Sequence, residues 1–455
     1  MDRPNILFMH SHNTGTYIEP YGHAVSTPHL QQLAEQGVLF RRAYATAPTC
    51  SPSRASFLTG MYPHSCGMTG LAHRGFAMSN YDWHAARIFK THGYFTATAG
   101  VEHTAPDLNT IGYDEILSGL DTNYPGQPKW IEPADAVVDF LQNAPQQPFF
   151  LNMGLNETHR PFHSAEPHKY PAEREQYCIP PRPLPDTPET RADTADYKAS
   201  ARIMDNHYGN VLTALRETGL SDNTLVCCFA DHGLQFPRNM CNLTDHGIGV
   251  YLIIRGPGGF EGGKVVNAMV SLMDLLPTAY RAAGIEIPDH VQGKSLHPLI
   301  NEDRHREEIF SEVTYHAAYE PMRSIRTERY KYIRRYDNRD KLVLPNVDDT
   351  PTKAFLLKQN WEKLPRDQEM LYDLIFDPDE AHNIIDREDM APIRKDLSHR
   401  LYAWMEETND PLLRDGHIAA PGGSQVNNSD GRSPNEAEKN ANERGTTGRL
   451  SGQFI

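Results

Sequence analysis

Leu225-Val226-Cys227-Cys228-Phe229-Ala230 is an unbroken apolar run, and Asp231-His232-Gly233 follows it at once. A short apolar run with β-branched and aromatic members, ended by a polar turn, reads as a strand buried on both faces. The same grammar holds at Asn5-Ile6-Leu7-Phe8-Met9, with polar His10 to Gly15 behind it. It holds again at Phe149-Phe150-Leu151-Asn152-Met153-Gly154, followed by Asn156-Glu157-Thr158-His159. Val250-Tyr251-Leu252-Ile253-Ile254 supplies a fourth run. Thr27-Pro28 opens a helix, with Leu30, Leu33 and Val38 at roughly helical spacing and Thr27 as its candidate cap. Strand, polar loop and helix in repetition predict an α/β fold: a large, mostly parallel sheet with helices on both faces. Ligands bind beyond the carboxyl ends of such strands. One polar cluster there is as often a plain turn; three predict a shared site.

The texture changes near residue 319. Met322 to Tyr336 alternates charged and bulky residues, as a partly exposed antiparallel strand does. Leu371-Tyr372-Asp373-Leu374 reads as another strand, and Ile393, Leu397, Leu401 and Met405 mark a helix over 389–407. These spacings predict a catalytic α/β domain over 1–318 and a smaller α+β domain with an antiparallel sheet over 319–413. Residues 414–455 are poor in bulky apolar side chains and predict a disordered tail.

Composition narrows the function. The 455 residues carry 44 Lys+Arg against 59 Asp+Glu, a formal charge of −15. That excludes general nucleic-acid binding, which needs a basic surface to displace counterions. No run approaches the ~18–20 apolar residues of a membrane span, and no export signal precedes Asn5, so the chain as given reads as cytoplasmic, unless a signal has been trimmed. Six cysteines over this length make no disulfide framework. Cys227 and Cys228 read as core thiols, and Cys66, Cys178 and Cys241 lack metal-ligand spacing.

Cys50 stands apart, in Cys50-Ser51-Pro52-Ser53-Arg54 with Leu58-Thr59-Gly60 downstream. A cysteine beside an arginine at a helix start is expected to have a depressed pKa and to be reactive. The plainer alternative is a buried cysteine ahead of a helix. The signature resembles that of the type I, formylglycine-dependent sulfatases, and the similarity runs from Arg3 to about Leu413. It includes Thr27-Pro28-His29-Leu30, Gly67-Met68-Thr69-Gly70-Leu71, Thr158-His159-Arg160, Pro321-Met322-Arg323, Leu371-Tyr372-Asp373 and Trp404 to Pro411. Within that family the chain is most similar to the N-sulfoglucosamine sulfohydrolase branch and related bacterial sulfatases.

The resemblance implies an alkaline-phosphatase-like fold and conversion of Cys50 to Cα-formylglycine by a maturation enzyme. The aldehyde hydrate attacks sulfur with one hydroxyl, and its second hydroxyl expels sulfate afterwards, which a serine could not do. It further implies catalytic roles for Cys50, Arg54, His103 and His159. His103 would accept the second hydrate proton and His159 would protonate the leaving group. Arg160, Arg238, His316 and Arg323 would contact substrate, although His316, like His10 and His246, reads alone as a satisfied structural histidine. One divalent metal would sit on His12, Asn13, Asp231 and His232. The family places adjacent aspartates where His12-Asn13 stand, a lysine at Val101 and a basic residue at Met240, for which nearby Arg238 is a candidate substitute. Calcium is the family's ion, and the imidazoles here favour manganese or zinc.

The expected reaction is therefore hydrolysis of a sulfate ester or sulfamate on a small sulfated sugar, with no nucleic-acid or membrane partner and with homo-oligomers possible. Two alternatives stand beside it. One is a phosphate or phosphonate monoester hydrolase on the same fold. The other is a degenerate sulfatase that binds sulfated glycan without turnover, for which the altered metal positions argue and the intact Cys50 signature argues against.

Overall fold

The computed structural model describes residues 3–118, 131–162 and 173–439. Nine strands form the main sheet: β1 (Asn5–Ser11), β2 (Val38–Tyr44), β3 (Phe95–Gly100), β4 (Glu115–Ser118), β5 (Phe149–Gly154), β6 (Thr224–Ala230), β7 (Gly249–Val250), β8 (Leu252–Arg255) and β9 (Lys264–Ser271). Their order is β4-β3-β5-β1-β6-β8-β2-β7, with β9 also paired to β2. β1 runs parallel to both β5 and β6, with Ile6 opposite Phe150 and Leu225. Every residue of β1, β5 and β6 is buried, as helices on both faces require. Phe8 packs edge-on against Phe150 and Phe229 across these strands. The expected α/β architecture is the observed one.

Local expectations are corrected at three points. The helix opened by Thr27 spans Pro28–Gln36, and Val38 begins β2. Thr27 does not cap it; its hydroxyl accepts from the Glu19 backbone N–H instead. The run from Val250 to Ile254 is two short strands, and β8 lies antiparallel to β6. Burial on both faces gives parallel and antiparallel strands the same apolar run, so direction is not written in it.

The second sheet is antiparallel, as expected, in the order β10 (Glu308–Tyr315), β11 (Tyr319–Thr327), β12 (Tyr330–Arg335), β13 (Glu369–Asp373). It begins at Glu308, eleven residues before the expected boundary at 319. Met322 to Tyr336 is most of a hairpin rather than one strand, and its charged residues are mostly buried: Arg323, Arg326, Lys331 and Arg335 all lie inside ion pairs. The predicted helix is present over Ala391–Glu407.

The expected tail divides. Residues 440–455 lie outside the described residues. Residues 416–439 pack back on the molecule, where β14 (Gln425–Asn427) pairs with β15 (Ala437–Lys439). Arg74 donates to Asn427 Oδ1 at 2.8 Å, Lys353 Nζ to the Arg432 carbonyl at 2.7 Å, and the Asn427 N–H to the Ala317 carbonyl at 2.8 Å. Polar anchoring holds this segment, so its low apolar content mispredicts it. No helix among the described residues is long and apolar enough to cross a membrane.

Candidate active site

The carboxyl ends of β1, β3, β5 and β6 deliver His12-Asn13, His103, His159 and Asp231-His232 to one place. The helix Cys50–Thr59 points its first residue at them. That helix is buried at all ten positions. Its own sequence explains its seating. The Ser53 hydroxyl donates to the Asp231 carbonyl at 2.6 Å, and Ser51 Oγ accepts from the Ala72 N–H at 2.9 Å. Gly60 ends the helix at φ +70°, and a Cβ there would lie 2.8 Å from Val291, so glycine is needed after Leu58-Thr59.

Cys50 is the focus. Its Sγ lies 3.0 Å from His12 Nε2, 3.4 Å from His232 Nε2 and 3.9 Å from Asn13 Oδ1. His12, Cys50, Asp231 and His232 place one ligand atom each within 4.8 Å of one another. The expectation of a reactive thiolate fails. Burial, then the Asp231 charge, push the Cys50 thiol well above its usual range and outweigh Arg54. The reason is geometric: Arg54 Nε and Nη2 both donate to Asp231 Oδ2, at 3.1 and 2.9 Å, so its charge is already matched. Its Nη1 donates to His10 Nδ1 and the Val101 carbonyl. Asp231 Oδ1 accepts the backbone N–H of Asn13 and of His232, each at 2.8 Å. Arg54 thus positions Asp231 and, through it, the ends of β1 and β6.

Calcium, the ion expected from the resemblance, prefers six to eight oxygens with several carboxylates. This site offers one carboxylate, already accepting four hydrogen bonds, and one amide. The donor set does not fit calcium; two imidazoles beside a thiol match a softer ion.

Imidazoles dominate the rest. The His12 ring lies 4.4 Å from that of His159 and 6.3 Å from that of His103. Burial lowers the pKa of His12, His103 and His316 well below the usual range and that of His159 to about 3, so these rings are neutral at pH 7. The amide of Gln235 fixes one tautomer. Its Oε1 accepts the Arg160 N–H, and its Nε2 donates to Asp348 Oδ2 at 2.6 Å and lies 3.2 Å from His159 Nε2. His159 Nε2 therefore accepts, and Nδ1 donates to the Arg160 carbonyl at 2.5 Å. In this state His159 Nε2 holds no proton for a leaving group, contrary to its expected role as acid.

Of the four expected substrate contacts, His316 is buried, its pKa is held well below the usual range by burial and then by Arg74, and its Nδ1 has no partner. The other three are placed differently. Arg160 pairs with Asp193 at 2.7 Å and stacks over Phe162 at 3.9 Å, which fixes the loop after β5. Arg238 is exposed and donates to the Pro183 carbonyl at 3.1 Å. It does not replace the missing basic residue, since Met240 Sδ itself faces Asn13 Nδ2 at 4.0 Å. Arg323 is fully buried against Asp410 and Glu312, at 2.6 and 3.2 Å, and has no route to a ligand.

Three residues were missed. His73 Nδ1 lies 2.7 Å from His103 Nε2, Gln235 orients His159, and Asp348 comes from the loop after β12. His73 and Gln235 sit just beyond quoted motifs. Asp348 carries no local signal.

With this geometry in place, comparison with known proteins defines the class. The family model described as Sulfatase matches residues 4–285, and that described as N-sulphoglucosamine sulphohydrolase, C-terminal, matches 231–362. The chain belongs to the sulfatase family and is an enzyme of that class. It is 28% identical to N-sulphoglucosamine sulphohydrolase of Homo sapiens, over 86% of this chain and 87% of that protein. It is 25% identical to an ulvan-active sulfatase of Formosa agariphila, over 90% and 76%. A protein solved with its substrate D-glucosamine-2-N,6-O-disulfate shares the fold, at TM-score 0.69 and 20% identity, over 90% of this chain and 99% of that one.

Proposed function

We propose that this enzyme releases sulfate from an O- or N-sulfated sugar of a glycan fragment, with formylglycine made from Cys50 and a divalent ion of the manganese or zinc class. The observation that carries the reading is Cys50 at the meeting point of four strand ends, inside the full Cys-x-Pro-Ser-Arg sequence, as a thiol that is held protonated. Such a thiol is a poor nucleophile, so the unconverted cysteine is not read as the nucleophile itself. Formylglycine at position 50 would supply a hydrated aldehyde as the nucleophile. His12, Asn13, Asp231 and His232 would hold the ion, whose charge would polarise sulfate oxygens.

The chain's own residues do the rest. Arg54 fixes Asp231. His103, neutral, with Nδ1 unpartnered and Nε2 against His73, is placed to take a proton. His159 lies beside His12, with ring centroids 4.4 Å apart. Charge supports sulfate over phosphate: Arg54 is neutralised, the imidazoles are neutral, and Val101 and Met240 replace basic side chains. A phosphate dianion would be less well matched than a sulfate monoanion. The sugar specificity follows the relatives, one named for N-sulfoglucosamine and one for ulvan.

The test pairs peptide mass spectrometry across Cys50 with sulfate release from N-sulfoglucosamine, glucosamine 6-sulfate and a phenylphosphonate monoester. Converted Cys50 with sulfate release is expected. Turnover by protein with intact Cys50, or faster cleavage of the phosphonate, refutes the reading.

A further inference from the structure

Three clusters of potential metal ligands occur among the described residues. In the first, His64, Glu312 and Asp410 close around the guanidinium of Arg323, which already fills the place of a cation. In the second, Glu132, Glu157 and His207 are half-buried and mostly carboxylate. The third, around Cys50, has a different character.

We propose that the folded chain with Cys50 unconverted holds one zinc-class ion through Cys50 Sγ, His12 Nε2, His232 Nε2 and a carboxylate oxygen of Asp231. The geometry comes first. Tetrahedral zinc with Zn–S near 2.3 Å and Zn–N near 2.0 Å separates its ligand atoms by roughly 3.3–3.6 Å. The separations here are 3.0 Å from Sγ to His12 Nε2, 3.4 Å from Sγ to His232 Nε2, 3.6 Å from His12 Nε2 to Asp231 Oδ2 and 4.0 Å from His232 Nε2 to Asp231 Oδ1, so an ion would move His12 outward and His232 inward by a few tenths of an ångström. One cysteine, two histidines and one carboxylate are a zinc-type set; they are not a calcium one.

Orientation is the second observation. His232 Nδ1 lies 3.0 Å from the Gly233 carbonyl and must donate to it, which leaves the Nε2 lone pair facing Sγ. A carbonyl that fixes the free nitrogen in this way is the usual outer support of a metal-bound histidine. Asp231 is held by Arg54 and two backbone N–H groups, so the ion would take Cys50, His12 and His232 as its principal ligands and would share the carboxylate with those donors. On ligation the Cys50 S–H bond breaks, a metal–sulfur bond forms, and the proton passes to solvent. Formylglycine has no sulfur, so this mode belongs to the unconverted chain alone, and in that respect it rests on the functional reading above. A chain that escapes conversion would be a folded, inert, metal-sealed protein.

The experiment uses full-length protein whose Cys50 is shown intact by peptide mass, stripped with chelator and titrated with cobalt(II). Binding of one equivalent with tetrahedral d–d bands and a thiolate-to-cobalt charge-transfer band is expected, and zinc should displace it. Cys50→Ser should abolish the charge-transfer band and weaken binding by ~10-fold or more. Cys241→Ser, which alters a neighbouring buried thiol, should leave both unchanged. His232→Ala should keep the band and weaken binding, which covers the case of a Cys50→Ser variant that does not fold. No bound cobalt, a band that survives Cys50→Ser, or displacement of cobalt by equimolar calcium overturns the proposal. Cobalt binding is read on intact-cysteine protein without turnover, so its failure is separate from failure of the sulfatase reading.

Discussion

The cluster around Cys50 and the cluster of His64, Glu312, Arg323 and Asp410 use the same kinds of residue at similar depth. They differ in what fills the centre. Arg323 donates to both oxygens of Asp410, to the Val313 and Met322 carbonyls and to Thr314 Oγ1, and pairs with Glu312, which in turn accepts from the His64 N–H and faces His64 Nδ1. That knot joins β10 and β11 to the start of the helix Pro411–Asp415 and to the short helix after Tyr62. In the Cys50 cluster Arg54 closes only one side. His12 Nδ1, His103 Nδ1 and His316 Nδ1 keep no partner. The knot keeps open valences of its own, at His64 Nε2 and Glu312 Oε2; what separates the clusters is the centre, filled by the Arg323 guanidinium in one and left to a thiol facing two imidazole nitrogens in the other.

Four experiments break or sharpen that contrast. Cys50→Ala should remove turnover almost wholly, by ~10⁴-fold or more, while the circular dichroism and melting temperature stay near wild type. Arg323→Met should do the reverse: leaving Asp410 and Glu312 buried without their partner destabilises by about 3–5 kcal/mol in urea unfolding, with kcat per folded molecule unchanged. His103→Asn, chosen because asparagine tolerates the φ of +63° at this position, should lower kcat by ~10²-fold with little change in KM. Unchanged kcat would remove His103 from the proton path.

The fourth concerns acid. Burial would raise the Asp410 carboxyl, but Arg323 outweighs it and holds the pKa below the usual value. A carboxyl lowered on folding adds stability that is full above its unfolded pKa of about 3.9 and is lost as pH falls through its lower folded value. Asp410→Asn should flatten the stability curve in that acid window and leave its shape at neutral pH alone. A curve that bends unchanged below pH 4 would assign the acid sensitivity elsewhere.

Legibility followed chemistry of local origin. β1, β5 and β6 could be read because burial on both faces forces continuous apolar runs, and the residues after them marked the site. Strand direction at β8 could not, since the run is the same either way. Glu308 to Tyr315 mixes Glu312 and Thr314 with apolar neighbours, so the second sheet's first strand passed for part of the first domain. Arg323 looked like a ligand contact from its motif and proved to be a structural ion pair, because its partners Glu312 and Asp410 lie 11 and 87 residues away. The thiol of Cys50 was misjudged for the same reason: Arg54 lies four residues on, while the carboxylate that cancels it arrives from β6.

The helix Cys50–Thr59 exposes no residue, and Cys50 itself keeps 2% of its surface. An enzyme that converted Cys50, as proposed above, would find no side chain of this helix within reach in the folded protein. On the proposed reading, conversion would have to precede burial of this helix. Specific activity would be set at that moment: slow translation or abundant maturation enzyme would raise it, strong overproduction would lower it, and later addition of maturation enzyme to folded protein would recover nothing.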